Sequence, residues 1–488
     1  MSGVFARHGR FSGTAAEAPR ASNGRYARPK RGFSLWQPPS RGKCRVVDFE
    51  FNPVAIDRQL GRARASWLAW KLGERSGELR GDAHPLEAYR PVTGQALFRR
   101  LGELPESDPL RTPLRRWVYR LAEQRIDQTA LNDLARDRRQ EHRHPDAPGR
   151  GPVSFASLLT QALGDPPRRE VWARLLVEHA PPISARAVEL WQRRREVAQR
   201  MGLGGPGEIE APLANAEAVA DRLAATTRER VRELGFDSLA GFFERAMAAD
   251  APGLWPARLT PQRMLDYFRD GDLLRSLELE AGPLPASLGA ASLCRALGIL
   301  GSAWFEALAP TDQPFVVAHD PYGLGRHEAR ALFSWLPLNA RFAQRHLDIS
   351  AHALPDLMRR LAQIWLLDLA QSAFRVRLRR HALASERAFR EAFRELSHAD
   401  LALSLPPDSA GALFPLGVED EQALVGELLA TERADAMVEA HDEDWFRNPR
   451  AIEQLRAEAR MPPRIDVEPE RVERALTRTV QRLTALLR

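Results

Sequence analysis

The segment "LPDLMRRLAQIWLLDLAQSAF", residues 354–374, has the apolar spacing of a long α-helix. Its large apolar side chains recur at intervals of three or four residues, which places them along one face of a helix. These side chains are Leu354, Leu357, Met358, Leu361 and Trp365. The spacing predicts a helix that packs against other helices through a broad apolar face.

The same helical spacing extends over most of the chain. It is clear in residues 55–74, 113–139 and 472–487, whereas the alternation typical of a β-strand is rare. One segment is typical of a strand, the apolar run "PFVVA" at residues 314–318. The sequence therefore predicts an all-α protein with at most one short strand pair or sheet.

The composition is that of an ordinary globular protein. Of the 488 residues, 44% are hydrophobic and 28% are charged. No apolar run reaches the roughly 18 residues that a membrane-spanning helix requires. The two cysteines, Cys44 and Cys294, are far apart and indicate neither a disulfide framework nor a thiolate metal site. We expect a cytoplasmic protein without a membrane partner.

The positive charge of the chain is concentrated at its N-terminus. Residues 1–50 contain ten of the 71 Lys and Arg residues but only three of the 64 Asp and Glu residues, which leaves 61 of each sign elsewhere. Residues 1–45 have no apolar period, which indicates a disordered basic tail. A transit peptide and a misassigned start codon are the alternatives. We expect nucleic-acid binding through this tail only.

Glycine and proline indicate a boundary between two helical regions. The segment "GLGGPGEIEAP", residues 202–212, is rich in glycine and proline and is the clearest linker in the chain. Its glycines lack the strand-turn-helix order of a phosphate-binding loop, so we interpret the segment as a hinge or boundary. It predicts an N-terminal helical domain at residues 46–201 and a second helical domain at 213–488. In the second domain, Gly235 is placed to cap the end of a helix.

A polar loop with three prolines and two glycines interrupts the first region at residues 141–152, "EHRHPDAPGRGP". Its His142 and His144 could bind a metal ion, but the polar surroundings favour an exposed loop.

The helix-like segment "RHEARALFSWL", residues 326–336, contains the His327-Glu328 pair. In zinc peptidases with the His-Glu-x-x-His pattern, histidines at i and i+4 bind the metal, and the glutamate acts on the metal-bound water as general base. Here the i+4 position is Ala331, which has no lone pair. A glutamate in the first turn of a helix is also favoured by the helix dipole alone.

The region from about residue 216 to the C-terminus resembles the mostly helical zincins of the thimet oligopeptidase and oligoendopeptidase F family. "RHEARALFSWL" is similar to their metal-binding helix, and it follows "PFVVA" and the loop "HDPYGLG" (319–325). "LGFDSLAGFFERAM" (234–247) looks like their scaffold helices, and "DWFRNPRA" (444–451) looks like their late helix start. The resemblance implies a peptidase scaffold with a substrate channel between two helical halves.

Carried over residue by residue, the resemblance makes His327 the first zinc ligand and Glu328 the catalytic base. Ala331 stands where the family has its second ligand. The family's third ligand is a glutamate about two dozen residues further on, where this chain has no glutamate and Asp356 could stand in with a shorter reach. The resemblance therefore implies a metal site of His327 and Asp356 that lacks part of its ligand set.

Two further features bear on this site. The family's late tyrosines help to hold the transition-state oxyanion, but the last tyrosine of this chain is Tyr322. Other histidines could replace the missing ligand, and the candidates are His319, His346, His352 and His441.

Three hypotheses follow for the function. In the first, the protein is a pseudoenzyme without zinc whose interdomain channel binds a peptide or protein partner. In the second, it is an active zinc oligopeptidase with an atypical ligand set, namely His327, Asp356 and a further residue, with Glu328 as base. In the third, it is an unrelated α-helical interaction protein whose basic tail binds an acidic surface or nucleic acid.

Overall fold

The computed structural model describes six ranges of the chain, which are residues 51–76, 84–147, 151–209, 215–246, 290–461 and 467–488. The predicted basic tail at residues 1–45 and Cys44 lie outside these ranges. Pro53–Arg488 belong to one compact unit.

Helices make up most of the described chain. Before residue 250 they are α1 (Pro53–Ser76), α2 (Gln95–Gly102), α3 (Arg111–Arg139), α4 (Phe155–Gly164), α5 (Arg169–Glu178), α6 (Ala180–Arg200), α7 (Ala216–Glu233) and α8 (Leu239–Ala246), with 3-10 helices at Pro85–Val92, Pro166–Arg168 and Pro206–Glu208.

The helices after residue 289 are α9 (Ala290–Ala307), α10 (Phe315–Ala318), α11 (Leu324–Ser334), α12 (Ala340–His346), α13 (Leu354–Ala384), α14 (Glu386–Leu401), α15 (Asp420–His441), α16 (Pro449–Ala459) and α17 (Pro469–Leu487), with 3-10 helices at Leu336–Leu338, Pro407–Ser409 and Trp445–Arg447. The predicted all-α class is confirmed.

The central element is α13, which contains the apolar-patterned segment at residues 354–374. It packs against α7, α14, α15 and α17. Leu357, Leu361 and Trp365 of its apolar face are at most 1% exposed. Burial of each such side chain stabilises the fold by about 1.5–3 kcal/mol. The helix is therefore held mainly by its apolar face, as the spacing predicts.

The prediction of a strand at residues 314–318 is wrong. Phe315–Ala318 form the short helix α10, which ends at His319 in an extended conformation. The backbone N–H groups of Phe315 and Val316 donate to the Asp57 carboxylate on α1, at 3.1 and 2.8 Å. A five-residue apolar run is compatible with either a buried strand or a buried helical turn, and here a side-chain cap on the backbone determines the outcome.

Within the described ranges, the strand pair occurs instead in the predicted polar loop. Strand β1 (His142–Arg143) pairs antiparallel with β2 (Pro152–Val153), and His142 lies opposite Val153. Both residues of β1 are exposed, as expected for that loop.

The ends of α7 and α6 lie where glycines in the sequence predict a helix to stop. Helix α7 ends at Glu233, and Gly235 follows with a φ of 68°, so the predicted glycine cap is confirmed. Gly202 has a φ of 82°, and its N–H donates to the Gln199 carbonyl just beyond the end of α6. The predicted linker therefore begins where α6 stops.

Helices on both sides of residues 202–212 contribute to one cluster of buried apolar side chains, which extends in sequence from Ala147 to Leu483. The division into domains at 46–201 and 213–488 stays a prediction. In the described ranges, no helix combines the length and apolarity needed to cross a membrane.

Candidate functional site

Helix α11 carries the His-Glu pair, and the loop before it fixes where the helix begins. The Asp320 carboxylate accepts hydrogen bonds from the backbone N–H groups of Tyr322, at 3.1 Å, and Leu324, at 3.2 Å. Gly323 between them has a φ of 68°, a conformation that favours glycine. The predicted helix at 326–336 is confirmed as α11, and its first turn leads directly into His327.

Glycines on two neighbouring helices bring α11 close to their backbones. On α9, a Cβ at Gly301 would lie 2.5 Å from the Ala329 carbonyl oxygen. On α15, a Cβ at Gly426 would lie 2.8 Å from both the His327 Cβ and the Glu328 backbone nitrogen. Helix α11 is therefore enclosed between α9 and α15, and Gly426 marks the point where α15 crosses the His-Glu pair.

His327 is bound to an acid that the sequence analysis did not identify. Its Nε2 lies 3.1 Å from Oε2 of Glu419, the residue that precedes α15. An ionised carboxylate only accepts hydrogen bonds, so Nε2–H is the donor. The same Oε2 accepts from Arg326 at 2.6 Å, and Oε1 accepts from Arg120 at 2.9 Å. Glu419 thus joins three cationic or donor groups from α3 and α11.

The pKa shifts at this point follow from burial and charge. Burial raises the pKa of Glu419, but Arg326, His327 and Arg120 outweigh it and hold this pKa well below its ordinary value. Burial lowers the pKa of His327 and exceeds the opposing effect of Glu419. The histidine is therefore neutral at pH 7, and the carboxylate is ionised.

A second acid extends this arrangement toward α1. Glu306 on α9 forms an ion pair with Arg64, and its carboxylate lies 3.6 Å from His319 Nδ1 and 3.9 Å from Arg326. Burial opposes ionisation of Glu306, but His319, Arg64 and Arg326 together lower its pKa to about 2. We call Arg64, Arg120, Glu306, Arg326, His327 and Glu419 the central charge cluster.

Tyr322 lies against the same cluster and is fully buried. The guanidinium carbons of Arg116 and Arg120 are 5.0 and 5.7 Å from its ring centroid. Such distances permit favourable cation–π contacts. The last tyrosine of the chain is therefore a packing partner of two arginines.

Glu328 is engaged by a different cation. Its Oε1 accepts from Arg433 Nε on α15, and Arg433 also pairs with Glu458 on α16. The three side chains are 13–30% exposed, so the group lies in a partly buried position between the helices.

The two residues of the His-Glu pair have partners on opposite sides of the helix crossing. Glu419 lies seven positions before Gly426, and Arg433 lies seven positions after it. Fourteen residues span roughly 21 Å along a helix. A zinc-bound water between a histidine ligand and a glutamate base requires both side chains to face one point. The partners of His327 and Glu328 instead lie far apart.

The other residues of the predicted site are placed elsewhere in the structure. Ala331 is 7% exposed and belongs to the apolar core cluster. Asp356 is 65% exposed in the first turn of α13, and its carboxylate accepts from Arg359 at 3.1 Å. His327 and Asp356 have different hydrogen-bond partners, so the structure does not bring these two predicted ligands into one bonded group. Their assignment as a metal site stays a prediction.

Of the candidate replacement histidines, His319 lies at the central charge cluster. The ring of His346 packs against Phe342 and Phe446, and His441 Nε2 lies 2.8 Å from Gln454 Oε1. His352 is exposed before α13. Within the ranges described, no three His, Cys, Asp or Glu side chains are arranged to hold a metal ion.

Sequence reasoning missed Glu419, Glu306, Arg120 and Arg64. Their pairings connect residues that are far apart along the chain, for example 299 positions for Arg120 with Glu419 and 242 for Arg64 with Glu306. No local spacing indicates such contacts, because they depend on which helix faces meet.

Comparison of the chain with models of protein families gives no match, and comparison with curated protein sequences gives none either.

Proposed function

We propose that this protein is a peptidase-like helical protein that does not hydrolyse peptides and that acts by binding a peptide or protein partner. In this proposal, His327 and Glu328 hold α11 against α15 through Glu419 and Arg433. The observation that carries the proposal is the divergence of these two ion pairs on either side of Gly426. A base and a metal ligand would have to converge.

The charges around His327 support the same conclusion. A zinc ion bound by His327 Nε2 would replace the proton that now points to Glu419, and it would sit beside the Arg326 guanidinium. That guanidinium already lies 2.6 Å from the carboxylate oxygen that a metal ion would use. A dication close to this arginine is disfavoured by like charge in a partly buried position. Arg326 therefore supplies the positive charge at this carboxylate.

A cleft beside the central charge cluster is the place where we propose that a partner segment binds. Phe305, Glu306, His319 and Asp320 contribute to its wall. The enclosed space has room for about one water molecule, so it suits the tip of a single partner side chain rather than a whole peptide. Glu306 stays ionised there, because its pKa is about 2.

The first test is peptide hydrolysis with internally quenched fluorescent peptides, in the presence and absence of added zinc. We expect no turnover, and we expect Glu328→Gln to behave like the unchanged protein. Glu391→Gln is the control, since this carboxylate is exposed and bonded within its own helix. Zinc-dependent hydrolysis that Glu328→Gln abolishes would overturn the proposal in favour of an active oligopeptidase.

The second test concerns binding, measured by fluorescence anisotropy with the same set of peptides. Ala309→Trp fills the cleft and is expected to weaken binding at least tenfold. Ala384→Trp introduces the same side chain at an exposed position at the end of α13 and should have no effect. Equal binding by both variants, or no binding by the unchanged protein, would contradict the binding part of the proposal.

A further inference from the structure

Three histidines meet at the surface where the β1–β2 hairpin contacts the junction of α5 and α6. His142 belongs to β1, His144 follows two residues later, and His179 separates α5 from α6. The ring centroid of His179 lies 5.6 Å from that of His142 and 5.8 Å from that of His144. Two segments that are separate in sequence thus place three imidazoles within reach of one another.

An acid lies in the same group. Glu178 is the last residue of α5, and its Oε2 is 3.2 Å from His144 Nε2. We call His142, His144, Glu178 and His179 the histidine corner. Histidine nitrogens and a carboxylate oxygen are the usual zinc ligands besides cysteine, and four of them complete a tetrahedral site.

The four side chains as they stand do not form a metal site, but the distances among them are close to those around a shared ion. Two imidazoles on one tetrahedral zinc have ring centroids about 5 Å apart, and an N and an O ligand lie roughly 3.4 Å apart, because zinc–ligand bonds are about 2.0–2.2 Å long. The separations of 5.6 and 5.8 Å exceed the first value by less than 1 Å, and 3.2 Å matches the second. His142 is exposed and His144 is 21% exposed, so both rings have room to rotate.

Closing the site would break only weak surface contacts. His144 Nδ1 accepts from the backbone N–H of Asp146 at 3.2 Å. Arg174 lies 3.3 Å from the Asp146 carboxylate and 3.6 Å from that of Glu178. These charged side chains are 43–53% exposed, and ion pairs between such side chains contribute little.

We propose that the histidine corner binds one divalent transition-metal ion of the zinc class through His142, His144 and His179, with Glu178 as the fourth ligand. The ion would connect the β1–β2 hairpin to the α5–α6 junction. This site is independent of the proposed function, which concerns a different histidine on α11. It also means that zinc in the purified protein does not by itself indicate a metal at His327.

The experiment is isothermal titration calorimetry of the full chain, freed of metal by a chelator, with zinc chloride at pH 7.5. We expect one ion per chain and at least tenfold weaker binding in His179→Ala, with the same loss in His142→Ala. His398→Ala removes an exposed histidine elsewhere and should change nothing.

Two outcomes would overturn the inference. One is the absence of saturable zinc binding, and the other is unchanged affinity in both His179→Ala and the milder His179→Gln, with circular dichroism reporting that each variant is folded. His327→Ala separates the two proposals. If His327→Ala no longer binds zinc while His179→Ala still does, both the histidine corner and the non-hydrolytic function are contradicted. If His179→Ala no longer binds zinc while His327→Ala still does, both are supported.

Discussion

His327 and His179 place the same side chain in two different settings. His327 is 11% exposed, donates to Glu419, and lies where two helices approach through Gly426. His179 lies at a surface junction beside two other imidazoles. The first histidine is fixed by charges and helix packing, whereas the second has neighbours that can rotate. The comparison teaches that burial among charges and packed helices fixes a histidine, whereas a surface junction leaves its neighbours room to move.

The largest effect is expected where α15 crosses the His-Glu pair. Gly426→Ala places a methyl group 2.8 Å from backbone and side-chain atoms of α11, so the helices must separate. We expect a loss of about 3 kcal/mol in the free energy of unfolding, as for other overpacked cores. Urea denaturation measures this loss. Gly164→Ala is the control, because its added methyl meets nothing within 4 Å, and an equal loss there would contradict the crossing as the cause.

The next effect concerns the acid that holds His327. Glu419→Gln leaves Arg120 and Arg326 without their shared carboxylate, which should cost about 2 kcal/mol at pH 7, since the site is only partly exposed. Because the folded pKa of Glu419 lies well below its unfolded value of about 4.3, its stabilisation is complete above that pH and is lost as the pH falls toward the folded pKa.

Denaturation at pH 7 and pH 3 therefore tests whether ionised Glu419 stabilises the fold. The difference in the free energy of unfolding between the unchanged protein and Glu419→Gln should be smaller at pH 3 than at pH 7. Asp356→Asn should stay within about 0.5 kcal/mol of the unchanged protein, because its ion pair with Arg359 is exposed. A larger loss for Asp356→Asn than for Glu419→Gln would mean that the predicted ligand, and not the charge cluster, supports this region.

A smaller effect is expected at the residue of α15 that directly follows the crossing. Glu427 accepts from Trp365 Nε1 at 3.1 Å, and burial together with the like charge of Asp368 raises its pKa to about 8. The pKa of this carboxyl is higher in the folded state than in the unfolded state. Its contribution to the free energy of unfolding therefore decreases as the pH rises from the unfolded pKa to about 8. Glu427→Gln should therefore gain stability relative to the unchanged protein between pH 5 and pH 8, by at least about 1 kcal/mol. Parallel stability curves for the two proteins would contradict this shift.

The smallest effect is expected at the histidine corner. Without metal, His142→Ala should change the free energy of unfolding by less than about 0.5 kcal/mol, because the side chain is exposed. Added zinc should raise the melting temperature of the unchanged protein but not of this variant, since a ligand that binds only the folded state stabilises it. Equal increases in both proteins would contradict the comparison between the two histidine settings.

Several elements of the fold could be predicted from the sequence, and the residues show why. The faces of α13 and α11 follow from helical spacing, and Gly235 follows from the preference of glycine for a positive φ. The apolar run at 314–318 was assigned to a strand because its composition fits strand and helix equally well. Its helical turn depends on the Asp57 carboxylate, about 260 positions away, which no local pattern reveals.

The candidate site could be predicted only in part. The sequence indicates that His327 and Glu328 share the first turns of one helix, and the structure agrees. It could not indicate that Glu419 binds one of them and Arg433 the other, at separations of 92 and 105 positions. The zincin-like character of the scaffold and the proposed loss of zinc chemistry stay predictions for the experiments above.

The sequence by itself determined most of the long helices of this protein, because helical periodicity and turn residues act over a few neighbouring positions. Tertiary structure alone decided what its charged side chains do. The crossing of α15 over α11 at Gly426 sends His327 and Glu328 to different partners, and the packing of a hairpin on the α5–α6 junction gathers three histidines. Such pairings depend on which faces of distant segments meet, and no spacing within one segment contains that information.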